Sequence, residues 1–168
     1  MAAPIDLSAQ AALWFLIATL PIAFWVIWSD LRAMRIPNRA VLALLAVFVV
    51  LGPFLLPLEL FAWQFLHLVV VLLVGITLNA AGVLGAGDAK FAAAAAPFVA
   101  RGDIGLVMML LAITLAAAFV PHRLAARSPL RHLAPDWESW TRHKAFPMGL
   151  SLGSTLSIYL LLGVLYGQ

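Results

Sequence analysis

Gly85-Ala86-Gly87-Asp88 lies between two strongly apolar runs, residues 66–84 and 89–100. Its reading decides the fold. An aspartate at the centre of a membrane helix costs roughly 2.5–3.5 kcal/mol on insertion scales. A carboxylate kept at membrane depth or at its edge is therefore a candidate functional group. The flanking glycines permit positive φ and close backbone approach. They suit a break in a helix that aims a side chain into a polar cavity, where irregular backbone is tolerated at membrane depth. A second carboxylate, Asp30, ends the first apolar run of the chain. Two aspartates, each at a helix end, point to a dyad.

Composition supports the membrane reading. Of 168 residues, 65% are hydrophobic and 10% charged, and the mean hydropathy is +1.07. That balance excludes an ordinary soluble domain and predicts an all-α, polytopic membrane protein, one domain over 1–168. Cysteine is absent, so disulfides, thiol nucleophiles and Cys-rich zinc modules are excluded. Residues 1–10 carry no Lys or Arg, and the apolar run 11–28 is longer than a signal-peptide core. It is expected to be a retained first transmembrane helix.

A helix crossing the hydrocarbon needs about 20 apolar residues. On that ruler six transmembrane helices are predicted, near 9–29, 39–57, 62–83, 88–100, 104–121 and 148–167. The fourth is short: from residue 88 to 100 a helix rises about 20 Å, less than the ~30 Å of hydrocarbon. Its run of alanines, 92–96, is expected to bring it close to the first helix.

Nine of the ten Lys and Arg residues fall on one side of this topology. Arg32, Arg35 and Arg39 lie between the first two helices. Lys90 follows the glycine stretch, and five more lie between the last two helices; Arg101 alone lies opposite. The basic side is expected to be cytoplasmic, with both termini outside. Asp30 and Asp88 then emerge at the same, cytoplasmic face.

Between the first two helices runs Arg35-Ile36-Pro37-Asn38. Pro37 disfavours helix at Ile36 and closes the first helix. Asn38 is a candidate N-cap for the second. The arginines read as topology signals and lipid-headgroup contacts. Lys90 stands about 200° round a helix from Asp88, so it is expected to snorkel to the headgroups, with contact to a substrate acid as the alternative. Asp6 and Glu59 read as solvated, His67 as a packing residue and Asn79 as a bond to a neighbouring helix. Asp103 reads as a cap for the fifth helix. In the long loop 122–146, Trp137, Trp140 and Lys144 recur at helical spacing, which predicts a short interfacial helix. Pro147 suits a first helical turn. Gly149 and Gly153, four apart, form a small-residue packing face.

Taken in order, Asp30 with Arg35-Ile36-Pro37-Asn38, then Gly85-Ala86-Gly87-Asp88-Ala89-Lys90-Phe91, then Phe146-Pro147-Met148-Gly149, resemble the type IV prepilin peptidases. The likeness spans essentially the whole chain and is greatest to the small single-domain members of tight-adherence pilus systems. The Gly-x-Gly-Asp element alone is shared with presenilin-like proteases; the ordered set of three is specific. The resemblance implies a membrane aspartic endopeptidase of the bacterial inner membrane. It would remove the short basic leader of prepilins or pseudopilins after a glycine, at the cytoplasmic membrane edge, without cofactor, metal or nucleic acid. Its catalytic pair maps onto Asp30 and Asp88, and its motif glycines onto Gly85 and Gly87. Larger members carry a Cys-rich cytoplasmic loop and are associated with N-methylation of the mature pilin. This chain has neither Cys nor that insertion, so methyl transfer is not expected.

Two carboxylates hydrolyse a peptide when one is ionised and takes a proton from water, while the other, protonated, hydrogen-bonds the scissile carbonyl. Helix dipoles favour the charge on Asp88, at a helix N-terminus, over Asp30, at a C-terminus. Two rival classes share some of these features. A proton-coupled transporter also pairs acids with broken helices, though at the midplane and commonly with inverted repeats. A non-enzymatic subunit of a secretion system would not need the aspartates.

Overall fold

A computed structural model describes residues 5–142 and 146–168. Six α-helices follow one another: α1 (Ala9–Ala33), α2 (Asn38–Leu55), α3 (Leu58–Ala80), α4 (Ala86–Ala95), α5 (Ile104–Ala126) and α6 (Met148–Tyr166). No β-strand occurs among the described residues, where Ile5 and Gly167 form a single isolated bridge. All helices but α4 are long and apolar enough to cross a membrane, so the protein is an all-α polytopic membrane protein. The expected shortness of the fourth helix is observed. After ten residues it tightens into a 3₁₀ turn, Ala96–Phe98, which begins beside Pro97.

Local chemistry sets the helix ends. Ser8 caps α1, its hydroxyl accepting from Ala11 N–H at 3.3 Å. At the other end Met34 turns left-handed, φ 48°, and donates its N–H to the Asp30 carbonyl at 2.9 Å. Such a φ is uncommon for a residue with a side chain. Pro37 cannot donate and precedes the first turn of α2. α5 runs through Pro121 to Ala126, further than the apolar run predicts. Prolines are tolerated in membrane helices because neighbouring groups satisfy the freed carbonyl.

α1 and α6 form the most extensive helix pair. Glycines on α6 allow it: a β-carbon at Gly153 would lie 2.9 Å from Ile27 Cγ1, and one at Gly163 2.8 Å from Ala12 Cβ. The Gly149/Gly153 face therefore packs as its spacing predicts. The opposite side of α6 binds α5 through polar groups. The Thr114 and Thr155 hydroxyls are 2.7 Å apart, and the Ser151 hydroxyl donates to the Thr114 carbonyl at 3.4 Å. Hydrogen bonds of this kind join helices where lipid offers no hydrophobic drive.

The alanine-rich α4 does not lie mainly against α1, as expected. Its principal neighbour is α3, where a β-carbon on Gly75 would sit 2.9 Å from Ala89 Cβ, followed by α2 and α6. Small residues fix how closely a helix approaches, and the chain connectivity then makes α3 the available partner.

The two ends of the bundle differ. Away from Asp30 and Asp88, Phe15, Phe48 and Phe98 pack ring to ring at 5.0–6.0 Å and are fully buried. Beside them lies a buried polar knot. The Asp103 carboxylate accepts from Asp6 N–H at 3.1 Å, Leu7 N–H at 3.3 Å and the Tyr159 hydroxyl at 2.8 Å; the Tyr159 oxygen accepts from Ala100 N–H at 3.1 Å. Asp103 thus ties the N-terminal segment to α6 instead of capping α5 with its side chain. Three donors meet the requirement that a buried carboxylate be hydrogen-bonded.

Among the described residues the predicted interfacial helix around Trp137 and Trp140 does not form. The described part of that loop contains only 3₁₀ turns, Pro129–Leu133 and Glu138–Trp140, and Lys144 lies outside the described residues. Trp137 and Trp140 stack on each other at 5.3 Å instead of sharing a helix face.

Candidate active site

Asp30 occupies the last turn of α1 and is 5% exposed. One oxygen, Oδ2, accepts from the backbone N–H of Gly149 at 2.7 Å. Gly149 is the second residue of α6, so this donor is one of the four N–H groups that a helix start leaves without an internal partner. The absence of a side chain makes the contact possible. A β-carbon on Gly149 would lie 2.9 Å from Asp30 Oδ2 and 3.0 Å from Asp30 Cβ.

Asp88 is built in the same way on α4. It is the third residue of that helix, Gly85 is the N-cap, and the Asp88 carboxylate reaches back to accept from Gly85 N–H. This is the returning half of a capping box, with aspartate in the position usually held by Glu or Gln. A β-carbon on Gly85 would collide with Asp88 Oδ2. The second glycine of the stretch serves a different contact. A β-carbon on Gly87 would stand 3.3 Å from Ile36 Cβ, in the Arg35-Ile36-Pro37-Asn38 loop.

The two carboxylates lie at the same end of the bundle, near enough for the charge of Asp30 to act on Asp88. Each is held by a backbone N–H and neither hydrogen-bonds the other among the described residues. Asp88 is half-buried and the more accessible of the two. The dipole argument that distinguishes them in the sequence does not survive. Asp30 ends α1 but sits on the N-terminus of α6, so both carboxylates face the positive end of a helix.

The loop between α1 and α2 is fastened at several points. Ser29 Oγ donates to the Arg35 carbonyl at 2.8 Å. Ile36 is buried against Gly87, and Pro37 is the residue before α2. Asn38 is the first helical residue and caps nothing. Its Oδ1 accepts from Lys90 Nζ at 3.3 Å, tying the start of α2 to α4. Lys90 accordingly bonds to Asn38 rather than only to headgroups. The Arg35 side chain is exposed. Among the described residues Asn79 bonds neither a carboxylate nor another helix; its Nδ2 donates to the Leu84 carbonyl at 2.8 Å, closing the turn that leads to Gly85. Pro147 is buried directly before α6 and delivers Met148 and Gly149 to Asp30.

On the face of α4 that carries Asp88, three, four and seven residues further on, Phe91, Ala92 and Ala95 line an apolar groove of about 370 Å³, which Val99 beyond the helix also lines. Leu66 and Val70 of α3, Val107 and Leu111 of α5 and Leu156 of α6 form its other walls. Among the described residues no group of three His, Cys, Asp or Glu side chains could hold a metal ion.

Sequence reasoning singles out both aspartates and the glycines, and misses what the glycines hold. A Gly three residues before an Asp at a helix start is the signal for the returning cap. Nothing in the sequence links Gly149 to Asp30, 119 positions away.

No curated protein and no solved structure matches this chain. Residues 10–121, which include α1 to α4, both aspartates and most of α5, match the model of the type IV leader peptidase family. With well over half its length in that match, the chain belongs to the type IV leader peptidase family and is a membrane-embedded protease.

Proposed function

We propose that this protein is an aspartic endopeptidase in which Asp30 and Asp88 act as a pair. Its substrates would be prepilin-like or pseudopilin precursors, cut after a glycine at the cytoplasmic face of the bacterial inner membrane. The resemblance of the motif set to the small single-domain members of tight-adherence pilus systems makes their precursors the first substrates to test. The observation that carries this reading is the shared construction of the site: two carboxylates at one end of the bundle, each fixed by the N–H of a motif glycine, within reach of each other's charge.

In the proposed reaction the ionised carboxylate takes a proton from a water molecule, whose oxygen attacks the scissile carbonyl carbon. The protonated carboxyl gives its proton toward the carbonyl oxygen. Collapse of the tetrahedral intermediate breaks the C–N bond; the proton first taken from water passes to the leaving amine, and the other carboxylate takes back a hydroxyl proton from the new carboxyl group, restoring the pair. The pair titrates as a unit, since like charges at close range disfavour the doubly ionised form. The apolar groove below Asp88 suits a substrate whose chain continues from the cut as an apolar helix within the bilayer.

The test is co-expression with a candidate prepilin, scoring leader removal on a gel at matched membrane levels. Asp30→Asn and Asp88→Asn should each abolish cleavage. Asn still accepts a hydrogen bond from Gly149 or Gly85, so insertion and packing should be kept, while proton cycling is lost. General acid–base catalysis is typically worth about 10²–10⁴-fold, and residues acting as a unit are not additive, so the double variant should be little worse than either single one. Native-like processing by either variant overturns its catalytic role. Processing by both would favour a non-enzymatic or proton-coupled subunit.

A further inference from the structure

We propose that His122 is a positioning residue for Asp30, acting as a flat plate in an aromatic clamp and not as an acid, a base or a hydrogen-bond donor. The proposal rests on the reading of Asp30 as catalytic. His122 lies in the last turns of α5 and is 6% exposed. Its ring stacks on Trp140, centroids 4.9 Å apart and planes 21° apart, and meets the edge of Phe146 at 5.8 Å. Neither ring nitrogen has a hydrogen-bond partner among the described residues. The contacts the ring does make, with Trp140 and Phe146, run through its face and its edge, and the proposal is built on these.

The contacts continue in both directions. Trp140 is fixed by its indole N–H, which donates to the Ala134 carbonyl at 2.8 Å, and it stacks on Trp137 at 5.3 Å. Trp137 meets Trp28 edge to face at 5.6 Å. Trp28 is two residues before Asp30, and Phe146 is three before Gly149 with buried Pro147 between them. The chain of rings Trp28–Trp137–Trp140–His122–Phe146 therefore links the turn that carries Asp30 to the segment that presents the Gly149 N–H. Along the backbone the same two points are 119 residues apart. Packing of α1 on α6 fixes the distance between the helices. The ring chain adds a constraint on how the start of α6 is aimed, and a 2.7 Å bond to one carboxylate oxygen requires that aim.

If the ring matters only as a plate, phenylalanine should replace it without loss. Exchanging a buried group that lacks a partner for an apolar one of similar shape is close to neutral or stabilising. Alanine removes the plate and leaves a hole. The experiment measures prepilin cleavage by the full chain in membranes for His122→Phe, His122→Ala and Asp30→Asn, with kcat and KM separated and the near-ultraviolet tryptophan dichroism recorded for each. His122→Phe is expected to cleave within about threefold of the native rate. His122→Ala should lose about tenfold or more in kcat at near-native KM, on the scale that small misplacements of reacting groups cost, with an altered tryptophan band. Should His122→Ala not insert, Trp140→Leu removes the facing plate and carries the same expectation. A His122→Phe variant as poor as His122→Ala, or alanine and leucine variants that cleave like the native protein, would overturn the proposal. Asp30→Asn separates the two ideas: if it is inactive, only the role of His122 is in question, and if it cleaves normally, the catalytic reading of Asp30 fails first.

Discussion

At the scale of single residues, three glycines near the two carboxylates are not equivalent to the rest. Gly85 and Gly149 each give an N–H to an aspartate and each leave the space that the carboxylate fills, while Gly87 leaves space for Ile36. The consequence is a graded prediction. Gly149→Ala puts a methyl group 2.9 Å from Asp30 Oδ2, and Gly85→Ala puts one into Asp88 Oδ2, so each should push its carboxylate off the N–H. Misplacement on the ångström scale costs on the order of 10²-fold in rate. Cleavage should therefore fall by about that factor in either variant while membrane insertion stays normal. Gly105→Ala is the control: a β-carbon there meets nothing within 4 Å, and alanine is the better helix former, so cleavage should be unchanged. Equal activity in all three would mean that the carboxylates do not depend on these bonds. The aspartates themselves were legible in the sequence because charge in an apolar chain is conspicuous. The bonds that hold them were not, since the returning cap depends on a rotamer and the Gly149 contact on how α1 and α6 cross.

At the scale of the elements, six apolar segments were readable from length and hydropathy alone, with boundary errors where a residue has two uses. Pro121 looks like a terminator but sits within α5. Asn38 looks like a cap, yet its side chain is taken by Lys90. Helix partners were the weak point. Alanine in α4 signals close packing without naming the neighbour, and the tryptophan spacing 137, 140 fits a helix that Pro135 and the 3₁₀ geometry do not form. The Lys90–Asn38 bond gives this scale its prediction. It is exposed and 3.3 Å long, and it links the side chains of α4 and α2. Exposed charged contacts contribute roughly 1 kcal/mol or less. Lys90→Ala and Asn38→Ala should each lower cleavage only a few-fold, and the double variant should be no worse than the more severe single one, because both remove the same bond. Fully additive losses would show that the two residues act separately, for instance on substrate.

At the scale of the whole molecule, the bundle has two dissimilar ends, and the orientation of those ends in the membrane decides where the reaction occurs. The carboxylate end carries Arg32 in the last turn of α1, Arg35 in the α1–α2 loop, Arg39 at the start of α2, Lys90, and the long connection between α5 and α6 with its basic residues. The other end carries Arg101 and the Asp103–Tyr159 knot that fastens the N-terminal segment. Basic loops are retained on the cytoplasmic side during insertion, and the bias counts Lys and Arg in short loops close to the helix ends, as here. Nine basic residues against one set the expected orientation: the carboxylates at the cytoplasmic face and both termini outside. A periplasm-active reporter fused after Gln168 should be active, and the same reporter inserted after Arg131 should be silent. A cytoplasm-active reporter should give the reverse at both positions. The loop position controls for failed insertion, since an uninserted chain leaves both fusions in the cytoplasm. A fusion after Gln168 that is active only in the cytoplasm, beside a loop fusion active outside, would invert the bundle. The carboxylates would then open onto the wrong compartment for a leader that has not left the cytoplasm.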